Sequence, residues 1–171
     1  MEKISKDKTK VITFPNEYGT DQFGNYFKEL GEKSKKDEQS YVRFGFLLKA
    51  LDYMQTIGFN KLPKGSADRF FAELDIEING KVYEQTFELI KPLKKENIYE
   101  LRINIKKYNW RFRGIFFPYT YKKTHFYCFV YPFEKKRQIT FNLTDTYRKI
   151  RLITYYVIYK TIRKNQRNSK Q

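Results

Sequence analysis

The residues of this chain that could do chemistry are mainly lysines, arginines and tyrosines in its second half. Three consecutive apolar segments contain or end on cations, namely Arg102, Arg111, Arg113, Lys135, Lys136 and Arg137. Alternation along a strand would place Arg111 and Arg113 on one face. If the three segments pair in order, their cations meet at one end of a sheet, where guanidinium groups could hold a phosphate through bidentate contacts.

Groups for metal or nucleophilic chemistry are scarce. His125 is the single histidine and Cys128 the single cysteine, so neither a histidine pair nor a multi-thiolate zinc site can form. Gly24 and Gly114 are isolated, and the sequence has no glycine-rich phosphate loop. A cysteine inside an apolar run usually behaves as a small buried hydrophobe. We therefore expect no metal and no small-molecule cofactor.

Cleavage of RNA is a reaction that lysines, arginines and tyrosines could perform without a metal. The 2′-hydroxyl of the RNA attacks the adjacent phosphorus, and cations stabilise the charge that develops on the phosphate oxygens. A lysine or tyrosine must help to move protons, and neighbouring positive charge would have to lower its pKa from about 10. The alternative is structural: Arg102 and Arg113 pair with glutamates of neighbouring strands. Those glutamates would be Glu88 and Glu100. The cations at residues 135–137 would then be a series of charged side chains exposed to solvent.

The positive charge of the chain is concentrated in its second half. Residues 1–90 contain 14 Lys/Arg and 15 Asp/Glu, whereas residues 91–171 contain 21 and 4. A one-sided excess attracts polyanions, of which nucleic acid is the commonest. Alternatively, lysines only keep a chain rich in Tyr and Phe soluble. The RNA-binding residues we expect lie in the basic connector 91–97 and around the candidate phosphate site, namely Lys91, Lys94, Lys95, Arg111 and Arg137.

The first half of the chain predicts one strand, two helices and a hairpin. Residues 10–14 are a short strand. Residues 21–36 have a helical pattern, and a second helix begins after its cap, Asp37, and ends near Gly58, antiparallel to the first. A loop is expected at 59–66. Alternating apolar residues on either side of Asn79-Gly80 then indicate a hairpin, because this dipeptide tolerates the positive φ angles of a two-residue turn.

The second half predicts an antiparallel sheet followed by a helix. Strands are expected at residues 98–105, 110–119 and 125–131, and the third is so apolar that it should lie mid-sheet. A last helix is expected over about 145–164, and residues 165–171 should fray. We predict one α+β domain, residues 1–171, in which an N-terminal strand and a helical pair pack on a mainly antiparallel sheet with a C-terminal helix.

The chain is expected in the cytoplasm and not in a membrane. No apolar run approaches the roughly 18 residues that a membrane span needs. The first ten residues, MEKISKDKTK, lack the apolar core of a signal peptide. The lone cysteine cannot form an internal disulfide, which fits a reducing compartment.

Three segments resemble, in order, the C-terminal signature of phage-type HigB toxins in the RelE superfamily of toxin–antitoxin systems. They are Ile98-Tyr-Glu-Leu-Arg-Ile103, Phe112-Arg-Gly-Ile-Phe-Phe117 and Tyr131-Pro-Phe-Glu-Lys-Lys136. The family typically shows a Tyr-Glu-Leu-Arg strand, a Tyr-Arg-Ile-Phe-Tyr-Phe strand and a His-Gly-Phe-x-Lys-Lys segment before a final helix. The resemblance covers roughly residues 20–150 and depends on the order and spacing of these short motifs.

The resemblance implies a RelE-like fold and a set of catalytic residues. Arg102, Arg113 and Lys136 would contact the scissile phosphate, with Lys135 beside them. Tyr131 falls where the family often has histidine. The chain departs from the family in a hairpin at about 67–90, which looks like an insertion, and in a longer final helix. At 139–141, Ile-Thr-Phe also replaces the expected Thr-Pro.

The resemblance further implies a metal-independent mRNA endoribonuclease, acting at the ribosome or on free mRNA and neutralised by a cognate antitoxin that covers the basic patch. A second hypothesis is a non-catalytic nucleic-acid-binding protein of phage or plasmid origin that keeps a RelE-like fold. A third is an interaction module whose basic face meets an acidic protein. RNA binding with a steep salt dependence but no cleavage would indicate the second.

Overall fold

The computed structural model describes residues 9–65, 67–93 and 97–135, which form an α+β fold as predicted. The predicted C-terminal helix and frayed tail lie outside the described residues. The elements in chain order are β1 (Lys10–Thr13), α1 (Gln22–Ser34), α2 (Glu38–Met54), β2 (Phe70–Ile78), β3 (Lys81–Pro92), β4 (Tyr99–Ile105), β5 (Trp110–Tyr121) and β6 (Thr124–Glu134). Short 3₁₀ turns occur at Phe59–Lys61, within the predicted loop, and at Lys106–Tyr108.

The described strands form one six-stranded sheet in the order β1-β6-β5-β4-β3-β2. Strand β1 runs parallel to β6, and all other neighbours are antiparallel. The prediction that the third apolar strand lies mid-sheet is confirmed, because β6 lies between β1 and β5. Tyr127, Cys128, Phe129 and Val130 are consecutive and all buried, so this strand is covered on both faces.

Both helices are capped by the side chain that precedes them. The Asp21 carboxylate accepts a hydrogen bond from the Gly24 amide at 2.8 Å, and the Asp37 carboxylate accepts one from the Ser40 amide at 2.7 Å. These bonds satisfy amide groups that have no partner inside the helix. The predicted helical pair and the predicted Asp37 cap are therefore confirmed.

The two helices cover one face of the sheet, with α1 on β6 and α2 on β2 and β4. Aromatic rings fill the space between the layers: the Phe129 ring lies 4.8 Å from Phe23 of α1 and 4.8 Å from Phe116 of β5. Gly114 permits the close approach of α1, because a Cβ at this position would lie 3.1 Å from the Phe23 ring. The main core is thus on the helix side of the sheet.

The predicted hairpin is confirmed, since β2 and β3 pair on either side of a two-residue turn. Asn79 has φ 51° and Gly80 has φ 76°, the positive values that such a turn demands. The predicted basic connector is shorter than expected, because Lys91 and Pro92 still belong to β3 and Lys91 pairs in register with Glu100 of β4. Among the described helices, none is long and apolar enough to cross a membrane.

Phe129→Ala should destabilise the fold, because it removes a ring that is fully buried between α1 and β5. We expect a loss of about 3–5 kcal/mol in the free energy of unfolding, measured by urea denaturation. Phe71→Ala is the matched control, because 56% of Phe71 is exposed and its loss should change stability by no more than about 0.5 kcal/mol. Equal losses in the two variants would contradict the proposed core.

Candidate phosphate-binding site

Strands β4, β5 and β6 bring four predicted cations together on the face opposite the helices. Arg102 lies opposite Arg113 in the β4–β5 register, and Arg111 lies opposite Asn104. The Lys135 amide, directly after β6, donates a hydrogen bond of 2.8 Å to the Arg111 carbonyl. Because alternate residues of a strand share a face, these cations occupy two adjacent cross-strand rows. We call Arg102, Arg111, Arg113 and Lys135 the arginine cluster.

Arg113 is the buried member of the arginine cluster, with 3% of the residue exposed. Its Nε lies 2.7 Å from Glu100 Oε1, and its Nη1 donates to Asn104 Oδ1 at 2.7 Å and to the Phe112 carbonyl at 2.6 Å. Burial lowers the pKa of Arg113, the charge of Glu100 opposes this effect and the charge of Arg102 adds to it, and together they bring the pKa to about 10. The guanidinium therefore remains charged at neutral pH, and Glu100 already occupies its Nε edge.

Arg102 is shared between two carboxylates. Its Nη1 lies 3.3 Å from Glu88 Oε1 of β3, and its Nε lies 3.7 Å from Glu100 Oε1. This Nε is buried and makes no hydrogen bond. The geometry thus favours the structural alternative for Arg102 and Arg113, in which both arginines pair with glutamates across strands.

Three cations around this site are not held by a carboxylate of the described residues. Lys91, Arg111 and Lys135 make no ion pair with any other described residue. Lys91 and Lys135 are exposed, and Arg111 is half-buried. Five cations thus face the two carboxylates of Glu88 and Glu100, which leaves the site with an excess of positive charge. A phosphate would be attracted to the side of the site that contains Arg111 and Lys135.

Tyr131, which falls where the HigB motif often has histidine, lies one further row along the sheet, opposite Ile115. Its hydroxyl donates a hydrogen bond of 2.6 Å to Glu17 Oε2. Burial, and then the hydrogen bond and charge of Glu17, raise the pKa of Tyr131 well above its usual value. A tyrosine that acts as a base requires a lowered pKa, and the surroundings of Tyr131 have the opposite effect.

The sequence reasoning treated Glu100 only as a partner for the arginines, although it is a carboxylate at the centre of the site. Both of its observed ion pairs use Oε1. A carboxylate between two guanidinium groups could accept a proton from a 2′-hydroxyl held at the adjacent phosphate. The alternation of side chains along β4 could have revealed that Glu100 belongs to the site, because it places Glu100 and Arg102 on one face.

The remaining predicted residues fall into two groups. Lys94, Lys95, Lys136 and Arg137 lie outside the described residues. His125 and Cys128 have the structural surroundings that their sequence context suggested: the His125 ring packs on Phe59 with centroids 4.6 Å apart, and burial raises the pKa of the Cys128 thiol to about 12. Within the described ranges, no group of three or more His, Cys, Asp or Glu side chains could hold a metal.

Comparisons of the chain with protein-family models, with curated proteins and with solved structures found no match. The resemblance to HigB toxins depends on the three short motifs of β4, β5 and β6.

Arg113→Ala should lower stability much more than Arg111→Ala, although both remove a guanidinium from the same strand. Loss of Arg113 removes one partner of an almost buried ion pair and leaves Asn104 Oδ1 without its donor. The expected cost is about 3 kcal/mol in the free energy of unfolding. Arg111→Ala should cost no more than about 0.5 kcal/mol. Similar urea midpoints for the two variants would show that the Glu100–Arg113 pair does not support the fold.

Proposed function

We propose that this protein is an RNA-cleaving toxin of the RelE/HigB kind, and that the arginine cluster holds one phosphodiester of its mRNA substrate. The observation that supports this most directly is the alignment of Arg102, Arg111, Arg113 and Lys135 in two adjacent rows of one sheet face. The order of strand, two helices and sheet is compatible with a RelE-like fold.

The cations of the site have different tasks in this proposal. Arg111 and Lys135 contact the phosphate, because both lack an ion-pair partner among the described residues. Arg113 is a positioning residue that holds Glu100 by its 2.7 Å ion pair. The RNA 2′-hydroxyl attacks the phosphorus and gives its proton to Glu100, while the cations stabilise the charge on the phosphate oxygens. The bond from the phosphorus to the 5′-oxygen breaks, the departing 5′-oxygen takes a proton from water, and Glu100 then returns its proton to the solvent. A cyclic 2′,3′-phosphate and a free 5′-hydroxyl are the products.

The proposed preference for a long RNA substrate follows from the charge of the chain. Residues 136–171 add ten Lys/Arg and one Asp/Glu, and the sequence places them directly after Lys135. Such an excess favours a long polyanion, such as mRNA on the ribosome, over a single small phosphate. In a toxin–antitoxin system, the cognate antitoxin would inhibit the protein by covering the same cations.

The second candidate is a non-catalytic RNA-binding protein, and one observation favours it. The groups best placed for catalysis are engaged: Arg113 and Arg102 pair with Glu100, and the Tyr131 hydroxyl is held by Glu17. Binding to phosphates through Arg111 and Lys135 does not require any of these groups to be released.

Cleavage of single-stranded RNA in the presence of EDTA tests the enzymatic proposal. We expect fragments that end in a cyclic 2′,3′-phosphate. The double variant Arg111→Ala/Lys135→Ala should reduce the rate by about 10²-fold to 10³-fold, as does the loss of donors to a developing oxyanion. Lys28→Ala/Lys49→Ala, on exposed lysines of α1 and α2, is the charge-matched control and should cleave normally. RNA that is bound but stays intact, with and without ribosomes, would favour the second candidate.

Binding of the same RNA as a function of salt tests the phosphate site itself. Arg111→Ala/Lys135→Ala should flatten the slope of log affinity against log salt by about one to two, because two phosphate contacts are lost. The control Lys28→Ala/Lys49→Ala should leave the slope unchanged. If both double variants behave like the original protein, the arginine cluster does not contact RNA and both functional candidates fail.

A further inference from the structure

Strand β2 is at the end of the described sheet, and its outer edge has no described neighbour. It is nine residues long, Phe70–Ile78, and pairs with β3 along its inner edge. The outer edge of such a strand presents unpaired N–H and C=O groups, which can accept another extended chain. This edge belongs to the hairpin that looked like an insertion in the sequence.

A groove of about 500 Å³ runs beside β2 on the helix side of the sheet. Its apolar lining includes Tyr41, Phe44, Leu48 and Ile76, and 48% of Tyr41 and 39% of Leu48 are exposed. Helix α2 already lies close to β2 at Gly45, where a Cβ would lie 3.0 Å from Ile76 Cδ1. The groove is a concave apolar surface next to a strand edge that has no neighbour among the described residues.

The opposite face of the hairpin is acidic. Glu73, Asp75 and Glu77 alternate along β2 and are all exposed, and Glu84 of β3 lies opposite Asp75. The hydrogen bond and charge of Glu73 raise the pKa of Glu84, and Asp75 adds to this effect. The like charges are crowded, so a cationic partner would reduce their mutual repulsion.

We propose that the β2 edge binds an extended, basic segment of a partner protein as an additional strand of the sheet. Side chains of an added strand alternate between the two faces. Those on the helix side would enter the apolar groove, and those on the other side would lie beside Glu73, Asp75 and Glu77. The segment that fits is one in which Val or Leu alternates with Lys or Arg, and its main chain would bond to β2.

Charge complementarity selects this occupant over a second copy of the chain. Pairing of β2 with β2 of another copy would bring the carboxylates of Asp75 and Glu77 next to acidic residues of the same strand, and like charges directly opposite in a sheet destabilise it. On the helix side of the groove, α2 contributes one further carboxylate, Asp52, and one cation, Lys49. RNA is repelled by this surface for the same reason.

Titration with a synthetic peptide of alternating Val and Lys, matched in length to β2, tests the proposal. We expect binding that slows hydrogen exchange of β2 amides. Asp75→Lys/Glu77→Lys should weaken binding about tenfold, since two exposed ion pairs become repulsive contacts. Leu48→Asp tests the groove and should also weaken binding. Glu29→Lys/Glu32→Lys, on exposed residues of α1, changes the net charge equally and should bind within about twofold of the original protein.

A second peptide distinguishes strand addition from simple charge attraction. It has the same composition, but its valines and lysines are grouped in two blocks. The proposal is overturned if this peptide binds as tightly as the alternating one, or if the exchange of β2 amides does not change on binding. It is also overturned if Asp75→Lys/Glu77→Lys and Glu29→Lys/Glu32→Lys weaken binding equally, or if sedimentation shows that the free protein dimerises and the peptide does not compete. RNA is absent from all of these measurements, so they are independent of the proposed nuclease activity.

Discussion

The ion pair between Glu100 and Arg113 is the constraint that organises the face of the sheet opposite the helices. A guanidinium with 3% exposure is costly unless its charge is paired, and β4 supplies both Glu100 and Asn104 to meet it. The pair also specifies the β4–β5 register. A slip by one residue would turn Arg113 towards the helices and away from Glu100 and Asn104.

The ion pairs of Glu100 and Glu88 divide the cations of the site into two sets. Arg113 and Arg102 are held by Glu100 and Glu88, so they determine where the site is but contribute little free charge. Arg111 and Lys135 have no such partner in the described chain, and they lie beside each other at the end of the strands. In the proposed function, the phosphate therefore contacts Arg111 and Lys135, whereas the motif resemblance emphasises Arg102, Arg113 and Lys136.

The elements and their faces were predictable because each depends on local patterns. Alternation located β4 and β5 and placed Arg111 and Arg113 on one face, and Asn79-Gly80 located the hairpin turn. The partners of the charged groups were not predictable in the same way, since they come from distant parts of the chain. Tyr131 illustrates this: burial raises its pKa, and its hydrogen bond to Glu17, which is 114 residues away in sequence, raises it further. The parallel pairing of β1 with β6 is equally invisible to periodicity.

Opposite charges are separated along the sheet, and this separation bears on how two polymers could be bound at once. The hairpin of β2 and β3 carries five Asp/Glu against two Lys, whereas the chain from residue 97 onward has a large positive excess. A polyanion approaching the molecule is repelled at the hairpin and attracted towards β5 and β6. A basic segment, in contrast, is attracted to the hairpin and repelled by β5 and β6. Arg111 lies on β5, and strands β4 and β3 lie between β5 and β2. RNA at the arginine cluster and a peptide at the β2 edge would therefore contact different groups and would not compete.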